Sequence, residues 1–416
     1  MDFFPKSRRR GHFSSAFALH RPAIYQIHTL LCYPRDTMTV TLGFAEPVDE
    51  EFQSESFPSK IGGQPRWIDP EHPLNVSQAT CDECQKPMAL LMQLYAPEDE
   101  PASAFHRMMY VFVCRTGSCH RAPASRCMRV YRAQLPEDNA VYEETGEDVE
   151  DDDIVWTTKS SVTPAKQCVV CGMAGTKACS KCHERMYCSR DHQLADWEAG
   201  HRAQCGSSEQ EPEDHVRKLR NQRYPELVIA SEEEEFSDGE GDDDDGESDS
   251  DSEDEIKPED GAVVPVTDEK AVDSEVDVDK AFLVFQRRIQ QNSDQVIRYA
   301  RAPGGEPEKP LYVSDAGIPE DVPECELCGV QREFEFQIMP QMLNFLGLKA
   351  DDPLSIDWGT LLVYSCPNSC DVKDGQFARE AIYRQQFSSQ GIGDKYMRAL
   401  QGDDSGFTKQ FDALDM

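Results

Sequence analysis

Basic residues are scarce in this chain. Of its 416 residues only 42 are lysine or arginine, against 78 aspartate or glutamate, a formal net charge of −36. Phosphate recognition needs a basic surface, so the imbalance argues against nucleic acid as a direct, charge-driven ligand and toward basic partners. No apolar run reaches the roughly eighteen residues of a transmembrane helix, so no membrane partner is expected. Hydrophobic residues are only 38% of the total, too few for a fully globular chain, and part of it is expected to be disordered. The length allows two or three domains. Phosphate loops of the GxGxxG or GxxxxGK[ST] type are missing. Ile61-Gly62-Gly63-Gln64-Pro65 is too short for one and reads as a turn in which Pro65 fixes the chain ahead of Trp67. No signal peptide is visible, so the 16 cysteines are expected in a reducing compartment, where clustered thiols bind metal and do not pair.

The densest cysteine cluster runs from Cys168 to Cys205. Cys168 and Cys171 are separated by two residues, as are Cys179 and Cys182, and Cys188, His192, His201 and Cys205 follow. Thiolates and imidazoles in fours suit tetrahedral zinc, and a two-residue gap lets one turn present both sulfurs to one ion. The stretch resembles a MYND finger, down to Tyr187 before Cys188 and the series Gln193, Trp197, His201. The resemblance implies interleaved ligands: Cys168, Cys171, Cys188 and His192 for one zinc, and Cys179, Cys182, His201 and Cys205 for the other. His192 stands where most members of the wider family have cysteine. Four protein ligands per ion leave no open catalytic position, so these zincs are read as structural. Six lysines or arginines against four acids between Pro164 and Cys205 are too few for a DNA footprint.

The regions flanking the finger resemble each other. In the first, Cys81-x-x-Cys84 precedes apolar runs at 88–95 and 108–113, the second ending in Cys114 and Cys119. In the other, Cys325-x-x-Cys328 precedes runs at 334–339 and 360–364, the second leading to Cys366 and Cys370. Gln93 follows Cys84, and Gln337 follows Cys328, at the same distance. Val130-Tyr131-Arg132 matches Ile382-Tyr383-Arg384. The short β-branched and aromatic runs predict, for each copy, a CxxC turn, two strands, a second cysteine turn and a strand. Three strands need a cover for their apolar face, so the copies are expected to pack together. Each cysteine quartet suits one further zinc, for two ions in all or four. A redox pair without its βαβ context and plain buried thiols are the competing readings. Cys32 and Cys127 fall outside the pattern and read as ordinary thiols.

The remaining segments are compositional. Residues 1–37 are basic, with Lys6, Arg8, Arg9, Arg10, Arg21 and Arg35 against Asp2 and Asp36; an optional extension is favoured over a mitochondrial presequence. Two acidic stretches follow, Glu143–Asp153 and Ser231–Glu255, the latter with sixteen acids and no base. The second is expected to be disordered, either as a solubilising spacer or as a polyanionic arm for a basic client. Ser237, Ser248, Ser250 and Ser252 each have an acid three positions on, resembling sites of acidophilic casein-kinase-type enzymes. Asp279–Ala300 reads as a helix with Phe282, Phe285 and Ile289 on one face, docked on its own domain. Asn292 and Ser293 break it, and Ser293 caps a second turn through Val296, Ile297 and Tyr299.

The fold expected is α+β and β-rich: a duplicated cysteine-bearing β domain packed as one body, an inserted two-zinc MYND finger and a disordered acidic linker. The segments are 1–37, 38–140, 164–205, 231–260 and 275–416. Leu42–Pro47, Phe57–Trp67, the finger, and the motifs DKAFLVFQRRI, QVIRYAR, FQIMPQMLNFL and IDWGTLLVYSC resemble the programmed cell death protein 2 family. The resemblance implies a non-enzymatic assembly factor, in cytoplasm and nucleus, that escorts a newly made basic small-subunit ribosomal protein, the eukaryotic counterpart of bacterial S five, to 40S precursors. In this reading the β body supplies apolar contacts and exposed strand edges for the client. The alternative is a nuclear adaptor whose finger binds proline-containing peptides through Gln193 and Trp197, unless Trp197 is instead core beneath the zincs. The basic extension and the dense acidic tract depart from the family pattern.

Overall fold

The computed structural model describes residues 40–49, 52, 56–147, 154–207, 211–234, 279–301, 309–348, 355–372 and 376–387. The apolar runs form strands: β1 (Thr41–Pro47), β2 (Lys60–Ile61), β3 (Ala89–Tyr95), β4 (His106–Val113) and β5 (Met128–Leu135). Then come β6 (Tyr142–Glu147) and β7 (Ile154–Thr158), β8 (Lys177–Ala178) and β9 (Met186–Tyr187), β10 (Leu227–Glu233), β11 (Gln295–Tyr299), β12 (Glu333–Ile338), β13 (Thr360–Ser365) and β14 (Ala378–Gln385). Three helices matter below: α1 (Arg190–Asp196), α2 (Glu213–Arg220) and α3 (Lys280–Gln291).

Ten of the strands close into one antiparallel barrel in the order β1-β10-β2-β3-β4-β5-β14-β13-β12-β11. Strand β10, which follows the finger, is inserted between β1 and β2, and the other strands before and after the finger, β1–β5 and β11–β14, meet edge to edge at two seams. At one, Arg132, Tyr131 and Val130 of β5 pair with Ala378, Arg379 and Glu380 of β14. At the other, Thr41, Leu42 and Gly43 of β1 pair with Tyr299, Arg298 and Ile297 of β11. On each side of the finger the elements run CxxC turn, strand, strand, cysteine turn, strand. Gln93 and Gln337 do similar work: the Gln93 side chain accepts from Arg66 N and donates to Pro58 O, and Gln337 accepts from Leu311 N and donates to Leu311 O.

Buried ion pairs span both seams and the space between them. Arg107 on β4 donates to both oxygens of Glu335 on β12, at 2.6 and 2.8 Å, and all of these side chains are wholly buried. Four steps separate β4 from β12 in the barrel order, so this bond crosses the barrel. Arg301 and Glu98 join the same network. At the β5/β14 seam Glu380 takes Arg132 at 2.9 Å and Arg332 at 2.8 Å. At the other, Glu234 accepts two bonds of 2.7 Å from Arg298 and is also bound by Arg288 of α3. Each carboxylate is desolvated, and two guanidiniums offset that cost.

Four expectations are corrected. The second helical turn is strand β11, whose alternating side chains are all buried; only Lys280–Gln291 is helical, with Asp279 capping it by accepting from Phe282 N at 3.0 Å. Ser231–Glu234 do not belong to an acidic linker, because β10 pairs with β1 and β2 and Glu234 is 6% exposed. The stretch from Glu143 is in part a hairpin, β6 paired with β7, anchored by buried Trp156. Finally, among the described residues the barrel is closed, so none of its strands has a wholly unpaired edge. The rest of the acidic tract, with Ser237, Ser248, Ser250 and Ser252, and the extension 1–37 lie outside the described residues. No described helix is long and apolar enough to cross a membrane.

Burial pushes the Glu335 carboxyl up, but Arg107, by charge and hydrogen bonds, and then Arg301 outweigh it and hold it at about 2. A depressed carboxyl contributes stability above the ordinary carboxylate range, and that contribution is lost as pH falls toward the folded value. Replacing Glu335 with Gln should cost about 3 kcal/mol or more, because it leaves Arg107 buried without its counter-charge. Denaturant melts at neutral pH measure the cost, and the gap between wild type and E335Q should shrink as the pH is lowered from about 5 to 2.

Candidate metal centres and the finger–barrel joint

Four CxxC turns share one backbone. In each, the N–H of the residue four beyond the first cysteine donates to that cysteine's carbonyl: Gln85 to Cys81, Gly172 to Cys168 and His183 to Cys179, all at 2.9 Å, and Gly329 to Cys325 at 2.8 Å. That residue is left-handed every time, with φ of 57°, 76°, 59° and 72° respectively. The first cysteine's own N–H donates back to Lys86, Met173, Arg185 or Val330. The tight turn sets two sulfurs side by side, and the left-handed residue costs least where it is glycine.

Distant elements complete each quartet. Cys188 follows β9, and His192 comes from the first turn of α1, which Ser189 caps by accepting from His192 N at 3.2 Å. Cys114 and Cys366 stand just beyond β4 and β13. The ligand atoms of Cys168, Cys171, Cys188 and His192 lie within 4.8 Å of one another, as do those of Cys179, Cys182, His201 and Cys205, those of Cys81, Cys84, Cys114 and Cys119, and those of Cys325, Cys328, Cys366 and Cys370. Zn–S bonds of about 2.3 Å at tetrahedral angles put sulfurs about 3.8 Å apart, and a nitrogen ligand about 3.5 Å from a sulfur. The observed Sγ···Sγ separations are 3.5 Å for Cys171–Cys188, 3.7 Å for Cys179–Cys205, 3.6 Å for Cys84–Cys114 and 3.5 Å for both Cys325–Cys370 and Cys328–Cys366. Cys168 Sγ lies 3.6 Å from His192 Nδ1, and Cys182 Sγ 3.6 Å from His201 Nε2. These are tetrahedron edges, too long for disulfides at about 2.05 Å. The residues fit zinc, which would remove the repulsion of gathered thiolates: Cys171 and Cys188 lower the Cys168 thiol, while burial pushes Cys171 well up. Cys127 is buried outside every set, its thiol pushed up by that burial. Cys32 lies outside the described residues.

Residues without a sequence signature support the finger. Buried Asp196 lies 2.7 Å from both Tyr187 Oη and His215 Nε2 and accepts from Arg185 at 3.2 Å, tying α1 to α2. The Cys168 turn is clamped to the barrel by its carbonyls. Trp67 Nε1 donates to Gly172 O at 2.8 Å, Gln64 Nε2 to Val169 O at 3.0 Å, and Arg223 Nε to Val170 O at 2.6 Å. A Cβ on Gly62 would sit 2.1 Å from Pro225 O, so the Gly-Gly turn lets the clamp close against the chain returning from the finger. Gln193 and Trp197 lie half-buried on the finger, Trp197 edge-on to His201 with ring centroids 5.8 Å apart, and Leu194 between them is 45% exposed.

Family models for the N-terminal domain of programmed cell death protein 2, a MYND finger and the C-terminal domain of programmed cell death protein 2 match residues 39–148, 168–205 and 279–389. Programmed cell death protein 2 of Bos taurus is 35% identical over 83% of this chain and 96% of its own. The chain belongs to the programmed cell death protein 2 family. A programmed cell death protein 2-like protein of Mus musculus is 28% identical over 75% of this chain and 85% of its own. A probable 20S rRNA accumulation protein 4 of Schizosaccharomyces pombe is 32% identical over 22% of this chain and 24% of its own. No solved structure matches.

Elemental analysis of the purified chain should give four zinc per molecule, by the tetrahedral fit of the four quartets. Changing Cys325 to Ser should remove one zinc and leave the finger's two. Changing Cys171 to Ser should also loosen the clamp, and limited proteolysis should then cut near residues 207–211 at least about tenfold faster.

Proposed function

We propose that this member of the family is a non-enzymatic escort for a newly made basic small-subunit ribosomal protein, the eukaryotic counterpart of bacterial S five, on its way to 40S assembly. The observation that carries this reading is the relative named for 20S rRNA accumulation, set beside a net charge of −36. Ribosomal proteins are basic and bind stray RNA when free. An acidic escort occupies their RNA-facing surface until rRNA displaces it. Single exposed charge contacts contribute roughly 0–1 kcal/mol, so apolar contacts must hold the client. The β body supplies those contacts, and the acidic tract speeds capture. The shared order of turns and strands on both sides of the finger supports a duplicated domain, with the acidic tract as a linker between its copies. Four-ligand zinc sites and the lack of a phosphate loop agree with a role other than catalysis, and the protein works in cytoplasm and nucleus.

Exposed Leu194 beside Gln193 and Trp197 favours a second role, in which the finger binds proline-containing peptides as a nuclear adaptor. Affinity purification from nuclease-treated lysate at moderate salt, with quantitative mass spectrometry, separates the two. The escort predicts one stoichiometric basic small-subunit protein without the rest of the ribosome, retained when Trp197 is changed to Ala. A spread of proline-motif nuclear proteins lost in that variant would overturn it.

A further inference from the structure

The four CxxC turns share a backbone but differ at their tips, formed by the third and sixth residues counted from the first cysteine. In the second finger turn these are Lys181 and Glu184, and in the Cys81 turn Glu83 and Lys86, charged side chains suited to water. In the Cys168 turn they are Val170 and Met173, 1% and 0% exposed because the barrel covers them. In the Cys325 turn they are Leu327 and Val330, 56% and 37% exposed. Of two apolar tips, one is covered from within the chain and the other is bare among the described residues.

The covered tip shows what a cover requires. A guanidinium, Arg223, lies on the tip carbonyls, donating to Val170 O at 2.6 Å and to Val169 O at 3.3 Å, while Gln64 shares the Val169 carbonyl and Trp67 donates to Gly172 O. A methyl group added at Gly172 would meet Pro65 Cδ at 2.9 Å, whereas one added at the equivalent Gly329 would meet nothing within 4 Å. No described donor reaches the carbonyls of Glu326 or Leu327. Around this tip Glu320, Asp321, Glu324 and Glu326 are exposed; of the arginines that share a cleft with Asp321 and Glu326, Arg332 is taken by Glu380, Arg129 by Asp82 and Arg384 by Ala122 O, and Arg379 is exposed. Four exposed carboxylates against one exposed arginine make the rim net acidic, so it favours a basic occupant over nucleic acid.

We propose that the Cys325–Val330 turn is a docking site for a basic protein segment, which lays an arginine on the tip carbonyls and an apolar side chain on Leu327 and Val330. For the partner's identity, the site rests on the escort reading. It is tested with benzoylphenylalanine replacing Leu327 in the full chain, irradiation in cells, and sequencing of the crosslinked peptides. The expected adduct is a net-positive, arginine-bearing segment of another protein, reduced about tenfold, or about 1.4 kcal/mol, when Glu324 and Glu326 are both changed to Lys. An unchanged zinc content in that variant shows that the turn still folds. The proposal is overturned by adducts no stronger than from the same probe replacing Glu83, by adducts on acidic or uncharged segments, or by an intramolecular adduct anywhere on this chain. A small-subunit ribosomal protein that copurifies without crosslinking from position 327 would leave the escort standing and sink this site. An arginine-bearing adduct on a protein unrelated to the ribosome would do the opposite.

Discussion

The barrel is made from two stretches of chain that are remote in sequence, and buried carboxylates shared between guanidiniums hold them together. Glu335 and Glu380 each take an arginine from the opposite stretch, Arg107 and Arg132, and Glu234, at the end of β10, takes Arg298 of β11 across the intervening β1. Apolar packing alone would tolerate a strand slipping by two residues, since its faces would still match. A bidentate pair has only one register in which both hydrogen bonds form, and an unpaired charge in that interior costs several kcal/mol. These pairs therefore act on specificity as much as on stability, fixing which strand meets which at both seams. These buried charges, set among apolar neighbours, separate this barrel from one filled only by aliphatic side chains.

The zinc sites depend on that closure in unequal ways. The Cys81 and Cys325 quartets sit where strands end, so each ion ties a CxxC turn to the next strand connection within one stretch. The finger's own pair of sites is local to residues 168–205. Its attachment is not local, because Gln64 and Trp67 precede it and Arg223 follows it. Lys60 strengthens the grip from beneath, with its ammonium buried on β2 and bonded to Gln64 O at 2.6 Å and to Glu226. The finger is thus carried on the barrel wall by its Cys168 turn, while α1, with Gln193 and Leu194, faces outward.

How much of this was legible in the sequence follows from how local each determinant is. Ligand spacing is a property of single turns, so all four quartets could be named from Cys81, Cys168, Cys179 and Cys325 onward. The run at 360–364 is legible as a strand from Thr360, Val363 and Tyr364, whereas that at 88–95 has no β-branched residue and is legible only from its short length between turn residues and its match to the second copy. Strand β10 was not, since Glu232, Glu233 and Glu234 look like the head of the acidic tract, and only the distant Arg298 and Arg288 give Glu234 a reason to be buried. Strand β11 was misread for a related reason: Val296, Ile297 and Tyr299 have helical spacing as well as strand alternation, and pairing with β1 and β12 decides between them. Asp196, His215 and Arg223 carry no motif at all. Their roles exist only once the finger is folded and seated.

The position of β10 between β1 and β2 has a consequence for how the protein is made. A chain emerging from the ribosome reaches β5 with its first strands available, but β1 cannot meet β2 until the whole finger and α2 have been synthesised. Even then both outer edges of that sheet stay open until β11 and β14 appear, after a further long wait for translation. Loop-closure entropy adds little to this cost, because it grows only slowly with length. The delay is kinetic. For much of its synthesis the nascent sheet presents unpaired edges and half of each ion pair, the kind of intermediate that is prone to mispairing and aggregation. A finger that folds early on zinc and then docks through its carbonyls would hold β2 and β10 in place during that interval, serving as a built-in clasp on an unfinished barrel.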